Sequence, residues 1–332
     1  MQTVNRSPDP TTDGPPFTSG FDLPALLATK DLEALGIGPG RIRGLVRRGQ
    51  LLRLRRGLYT WAEDDAQDTG RASGTRLLEV ATAAAIRRLR EDAWASHDCA
   101  TAMFGITPTP TPAPVVLTVN RPCGPVRSYA NNVHVWPAQL PEHHRTDTRG
   151  IPTVTPARAV VDACRHRDFP AAQAVVDVGL RLGLCTPADL AEVIDHCAGW
   201  PGVVAARRAV GHGNGARDSY LESASFAFFV DRDLPLPLCN PTIRDDWGAF
   251  VARPDFAWDG YAVVGEADGA IKYLTDLAGA AEPHRRLYQE KLRQEALEQL
   301  GYTVVRWTWD ELVHRPDLLE RRIRRALGLR AG

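Results

Sequence analysis

The stretch PDFAWDGYAVVGEADG, residues 254–269, decides how the C-terminal third of the chain is read. Its aromatic and β-branched residues are interrupted at Asp259-Gly260, a pair suited to a two-residue hairpin turn. Strands are expected on either side, Ala252 to Trp258 and Tyr261 to Asp268, with Cys239 to Arg244 as a third. With Asp259 and Gly260 as the loop, Trp258 stands opposite Tyr261 and Asp255 opposite Val264. Side chains alternate along a strand and cross-strand partners share a face, so Asp255, Val264, Glu266 and Asp268 project to one side. Asp255 and Glu266 are then diagonal neighbours roughly 7 Å apart. Carboxylates gathered on one face repel one another unless a cation or a proton lies between them, and magnesium (or manganese) with oxygen ligands suits such a place.

Around this hairpin the pattern continues in both directions. Ser219-Tyr220-Leu221-Glu222 opens a helix running to about Val230. After the hairpin comes a helix from Arg285 to Leu300 stopped by Gly301, then the strand Tyr302 to Trp309 and Asp310-Glu311-Leu312. Each carboxylate also has a plainer reading. Ser219 with Glu222 is a capping box, Asp268-Gly269 is turn chemistry, and Asp255 after Pro254 is a turn residue.

The order Pro254-Asp255, Gly265-Glu266-Ala267-Asp268-Gly269, Lys272-Tyr273 and Arg306-Trp307 resembles the PD-(D/E)XK nuclease superfamily, and within it the domains related to very-short-patch repair endonucleases. The resemblance covers Ser219 to Leu312. It implies a metal-dependent endonuclease in which Asp255, Glu266 and Asp268 hold Mg2+ or Mn2+ and Glu222 completes the site. That ion would activate water for attack on a phosphodiester. The superfamily's lysine belongs two residues after the glutamate, where this chain has Asp268. Lys272, four residues further on, takes its catalytic place in the reading, and Lys291 on the following helix is the second candidate.

At the other end, Asp22 to Trp61 reads as three short helices and a two-stranded wing, a winged-helix DNA-binding module. Leu23, Leu26 and Leu27 have helical spacing, Asp31 to Leu35 is a second helix stopped by Gly36, and Arg41 to Gly49 is a third with Ile42, Leu45 and Val46 inward. Leu52 and Leu54 then alternate with Arg53 and Arg55 up to a turn at Arg56-Gly57. Arg41, Arg43, Arg47, Arg48, Arg53, Arg55 and Arg56 fall within sixteen positions without an interleaved acid. Such a cluster pairs with phosphates and releases counterions, and arginines on a recognition helix reach guanine in the major groove. The plainer reading is a solvated basic face.

Between the two ends lie a helix Arg71 to Leu89, a strand Val115 to Val119 with a partner at Val133 to Trp136, and helices Pro156 to Cys164, Ala171 to Leu182 and Pro187 to Cys197. Ser96-His97 has the look of a catalytic pair, but Ser96 as a helix N-cap explains it without chemistry. His143-His144 is expected in a polar loop. The front end with Ala95-Ser96-His97, Val116-Leu117-Thr118-Val119 and Thr155-Pro156-Ala157-Arg158-Ala159-Val160-Val161-Asp162 resembles the AbiEi-type antitoxins of toxin–antitoxin systems. That resemblance implies operator DNA bound by the winged helix, autoregulation, and a nucleotidyltransferase toxin as partner.

The fold class expected is therefore a multidomain α+β and α/β chain. A disordered tail occupies residues 1–20, a winged helix 21–62, an α+β middle domain 63–212, and a restriction-endonuclease-like mixed sheet flanked by helices 216–327. The 332 residues suffice for two or three cores, and 44% apolar with 24% charged residues is ordinary for a globular protein. The formal net charge of zero rules out a uniformly basic, histone-like protein, not a local DNA-binding face. No stretch approaches a membrane span and the first twenty residues lack a signal peptide's apolar core, so a cytoplasmic protein is expected. The six scattered cysteines form no CxxC pair and read as small hydrophobes. Winged-helix regulators often act as homodimers, although no heptad repeat here asks for one.

Overall fold

The computed structural model describes residues 27–55, 57–61, 70–89, 91–107, 113–129, 132–268 and 292–330. The tail at 1–20, Leu23, Leu26, Arg56, Lys272 and Lys291 lie outside these residues. The chain divides into two compact units, Met1–Ala159 and Val160–Gly332. No helix among the described residues is long and apolar enough to cross a membrane.

The first unit begins with β1 (Leu27–Ala28), α1 (Thr29–Ala34), α2 (Pro39–Arg47), β2 (Leu51–Arg55) and β3 (Leu58–Trp61). Leu27 was expected on a helix. It lies instead on an edge strand, opposite Tyr59, because β1 completes a three-stranded sheet of order β1-β3-β2. Pro39 at the first turn of α2 supplies a fixed φ where no N–H is needed, and Gly49 at φ +70° ends the helical run. Leu32, Ile37, Ile42, Leu45, Leu51 and Tyr59 make a small core of their own. The alternation expected through Leu52 and Leu54 is described only as far as Arg53, where Leu52 is half-buried and Arg53 exposed. Leu51 is fully buried, and the β2–β3 register shifts between Arg53 and Arg55.

Next come α3 (Gly70–Arg88), β4 (Ala93–Ala95), α4 (His97–Met103), β5 (Val115–Asn120), β6 (Arg127–Tyr129), β7 (Val133–Ala138), β8 (Arg145–Thr148) and β9 (Ile151–Val154). The six strands form one mixed sheet of order β6-β7-β5-β4-β9-β8, with β5 and β7 parallel as partners. Leu117, Val119, Val135 and Ile151 pack with Leu78 and Ile86 of α3. Ser96 stands at the N-cap of α4, but its side chain caps nothing. Its hydroxyl lies 2.9 Å from His97 Nδ1, and the buried His97, at φ +50°, stacks on Trp136 with ring centroids 4.8 Å apart. His144 is likewise not a loop residue in water. It is buried, with Arg158 Nη1 3.2 Å from its Nδ1.

Helix α5 (Pro156–Cys164) spans the division, and the second unit continues with α6 (Phe169–Arg181), α7 (Pro187–His196), α8 (Val203–Gly211) and α9 (Tyr220–Asp231). Thr186 and Asp189 form a reciprocal capping box that starts α7. The boundary expected near 212–216 falls inside this unit. There follow β10 (Leu238–Cys239), β11 (Ile243–Arg244), β12 (Phe250–Ala252), β13 (Phe256–Trp258), β14 (Val263–Asp268), a helix α10 at 292–299, β15 (Thr303–Thr308), α11 (Trp309–His314) and α12 (Pro316–Ala326). The two strands expected at 239–244 and 252–258 are each divided. Asn240 at φ +50° precedes Pro241, and Pro254 has no N–H to donate, so β11 and β12 pair apart as a ribbon. The main sheet has the order β10-β13-β14-β15, antiparallel except for the parallel β14–β15 pair. One face carries Phe256, Trp258, Val263, Val305 and Trp307 against Phe229 of α9 and Leu319 and Ile323 of α12. The other carries Ala257 and Val264 against Leu297 of α10.

Candidate functional site

Two groups of side chains carry chemistry, one in each unit. In the first unit the spacing of Ile42 and Leu45 turns one side of α2 to the core, at 4% and 9% exposure. Arg41, Arg43, Arg47 and Arg48 are left exposed. Arg48 folds back to donate from Nε to Gln50 Oε1 at 2.9 Å, and its guanidinium passes over Gly44, where a Cβ would lie 3.3 Å from Nη1. Arg41, Arg43 and Arg47 form no ion pair among the described residues. Arg53 is exposed on β2, and Arg55 ends that strand opposite Leu58. An exposed helix bearing unengaged guanidinium groups, followed by a short hairpin, is an arrangement able to meet the sugar–phosphate backbone of nucleic acid.

In the second unit the loop between β13 and β14 is longer than the Asp-Gly pair suggested. Asp259–Tyr261 form a 3-10 turn and Ala262 sits in the left-handed region at φ +49°, so Trp258 pairs with Val263 and Ala257 with Val264. The register is displaced by two residues from the expected one. An even displacement leaves every side chain on its predicted face. The ladder ends at the Phe256–Gly265 pair, and Asp255 and Glu266 are the residues next to that pair on either side.

Asp255 is anchored through both side chain and backbone. Its Oδ2 accepts from Ala267 N at 2.7 Å, and its carbonyl accepts from Asn240 N at 2.8 Å. Glu266 is 7% exposed, and its Oε1 accepts from Arg293 of α10. Burial raises the Glu266 carboxyl above the ordinary range. Arg293 and Arg306 pull it back down, and Asp268 pushes it up again. Arg306 lies across from Glu266 in the parallel β14–β15 ladder, and Asp268 across from Thr308. Glu222 is set apart from this pair. Its backbone N–H is capped by Ser219 Oγ, and its Oε2 accepts from Asp218 N at 2.9 Å and from Asn240 Nδ2 at 2.7 Å. The connection from Glu222 to Asp255 thus runs through Asn240 and ends on a carbonyl rather than a carboxylate.

The donor set of Asp255 and Glu266 is hard oxygen, as Mg2+ or Mn2+ requires, with Arg293 as the cation already on Glu266. Asn240 and Arg293 are the site residues that sequence reading missed. Asn240 had a signal, the Asn-Pro turn that parts two strands. Arg293, twenty-seven positions from Glu266, had none.

Residues 26–60 match a family model described as transcriptional regulator, AbiEi antitoxin. The front of this protein is therefore an AbiEi-type regulator domain, the class to which the exposed basic helix belongs. Over 190 residues the chain is 30% identical to two curated proteins of Mycobacterium tuberculosis, uncharacterized protein MT2308 (strain CDC 1551 / Oshkosh) and uncharacterized protein Rv2248 (strain ATCC 25618 / H37Rv). The match spans 56% of this chain and 67% of each of theirs, and the chain belongs to the family these proteins represent. A solved structure, that of the RV2827C protein from Mycobacterium tuberculosis, aligns with 13% identity and a TM-score of 0.35, over 68% of this chain and 85% of that one.

Proposed function

We propose that this protein is a DNA-binding transcriptional regulator of the AbiEi antitoxin type, a winged helix in which α2 enters the major groove and the β2–β3 hairpin lies along the backbone. The observation that carries the reading is the set of exposed, unengaged arginines on α2, within the stretch that matches the regulator family. Arg41, Arg43 and Arg47 supply the phosphate contacts, and Arg48, Arg53, Arg55 and Arg56 extend them. A cognate toxin is the partner this class implies. The test is fluorescence anisotropy with a duplex from upstream of the protein's own gene. Wild-type protein binds it and R43Q/R47Q binds at least tenfold more weakly. Equal affinities would remove α2 from the interface.

A second reading is favoured by the carboxylates of the second unit. Asp255, one residue before β13, accepts through Oδ2 from the N–H of Ala267, the neighbour of Glu266 on β14, which supports a PD-(D/E)XK-like site in which Asp255 and Glu266 hold Mg2+ or Mn2+. The ion would supply Lewis-acid activation of water and charge stabilisation at a phosphodiester. Asp268 adds negative charge beside Glu266, Glu222 braces Asn240 behind Asp255, and Lys272 would stand in for the lysine that Asp268 displaces. The regulator reading ranks first because it needs no ion and because Glu266 already carries an arginine. Plasmid nicking with Mn2+ that disappears in both D255A and E266A supports the second reading. Nicking that persists in both variants removes these residues from it.

A further inference from the structure

The arginines of the second unit are distributed unevenly between structural work and none. From Trp309 to Arg330 there are six arginines and four carboxylates. Every carboxylate is taken: Asp310 by His314, Glu311 by Arg322, Asp317 by Arg232, and Glu320 by Arg232 and Arg324. Arg322 and Arg324 each reach a backbone carbonyl as well, Arg306 O at 2.6 Å and Arg232 O at 2.9 Å, so they stitch α12 to its surroundings. Arg321 and Arg325 do neither. They lie four positions apart on one ridge of α12, opposite the buried stripe of Leu319, Ile323 and Leu327. Both are exposed and make no side-chain hydrogen bond or ion pair among the described residues, as is also true of Arg315 and Arg330 at the ends of the helix. Like charges at this spacing destabilise a helix, and a face shaped for solubility alone would intersperse acids.

We propose that the outer ridge of α12, centred on Arg321 and Arg325, is a second polyanion-binding surface that takes the phosphate backbone of double-stranded DNA. The proposal rests on the reading of this protein as DNA-binding, yet it places a contact in a different unit from α2. Two guanidinium groups along one ridge, with no base-reading geometry asked of them, give affinity without sequence preference.

The experiment uses the full chain and a 30-base-pair duplex of arbitrary sequence, with affinity measured across a salt series for wild type, R321Q/R325Q and R43Q/R47Q. Each lost phosphate contact lowers the slope of log affinity against log salt by about 0.9, so R321Q/R325Q should lose about 1.8 from the slope and bind more weakly at low salt. Its thermal midpoint should not fall, because the two side chains hold nothing in place and their mutual repulsion is removed. A salt series superimposable on that of wild type overturns the α12 surface, whatever R43Q/R47Q does. An effect in R321Q/R325Q with none in R43Q/R47Q keeps the α12 surface and discards the α2 interface. A wild-type protein that does not bind the duplex removes both.

Discussion

Arg217 and Asp177 face each other with both side chains withdrawn from water, joined by two hydrogen bonds, Nε to Oδ2 at 2.6 Å and Nη2 to Oδ1 at 2.7 Å. Asp177 lies on α6, and Arg217 lies just before α9. The carboxylate also accepts from Ser223 Oγ, Asn214 N and Gln173 Nε2. The guanidinium also donates to His212 O and lies over the Phe226 ring, 4.0 Å from its centroid. Burial alone would lower the arginine's pKa, but the bonds to Asp177 outweigh it and hold the cation charged. This network ties α6 and α9 to residues 212–217.

Asp177→Ala should therefore be among the most damaging single changes in the second unit. It leaves a buried guanidinium without its counter-charge, a loss of about 3–5 kcal/mol when one partner of such a pair is removed. Asp177→Leu combined with Arg217→Met removes both charges and should recover much of the loss. Urea unfolding of the two variants reads the difference. Equal damage in both would mean that packing, not the uncompensated charge, dominates.

Gly265→Ala should be disruptive for a steric reason. A Cβ there would lie 2.6 Å from Trp307 Cη2, 2.9 Å from Cζ3 of the same ring, and 3.1 Å from Trp258 Cζ3. Neither indole is at liberty to move, because Trp307 Nε1 donates to Ser225 Oγ and Trp258 Nε1 to Pro235 O. Overpacking of this kind costs about 1–3 kcal/mol. Trp307→Phe in the same chain should relieve part of it, as a comparison of thermal midpoints would reveal. No rescue would mean that the backbone, not the ring, suffers.

Locally encoded features were legible. The spacing of Ile42 and Leu45 marks α2, and the run from Pro187 marks α7, through features that depend on residues a few positions apart. The parity of the β13–β14 pairing was legible as well, since it survives an even slip of register. The register itself was not. Asp259-Gly260 is sufficient for a tight turn, and nothing local announces that Ala262 adopts φ +49° and lengthens it. Nor does local sequence reveal that Arg293 meets Glu266, or that Ser96 turns to His97 instead of capping α4. Those partners are chosen by packing between elements distant in the chain or by a side-chain rotation.

Gly44→Ala separates stability from binding on α2. Glycine in a helix interior costs up to about 1 kcal/mol relative to alanine. The three nearest atoms a new methyl would meet belong to the tip of the Arg48 side chain, which is flexible. The variant should be more stable by about 0.5–1 kcal/mol in thermal melts. If DNA approaches this face, duplex affinity should fall although the fold is firmer. Unchanged affinity would put the contact elsewhere on the helix.

Glu266→Gln tests the electrostatics of the carboxylate face through pH, with a chelator present so that no metal contributes. Burial raises the folded-state carboxyl above the ordinary glutamate value of about 4.5. A raised pKa means that the native state holds its proton more tightly than the unfolded chain does. The stability Glu266 contributes is thus fully present below about pH 4.5 and is lost as pH climbs through the raised value. Glutamine does not titrate, so the stability of the variant relative to wild type should rise across that window. The gain is about 1.4 kcal/mol for each pH unit by which the carboxyl is displaced, before subtracting the constant loss of the Arg293 contact. Chemical denaturation at intervals from pH 4 to pH 8 would trace the curve. A difference that instead falls with rising pH would show that Arg293 and Arg306 overcome desolvation, making Glu266 a carboxylate held ionised by its arginines.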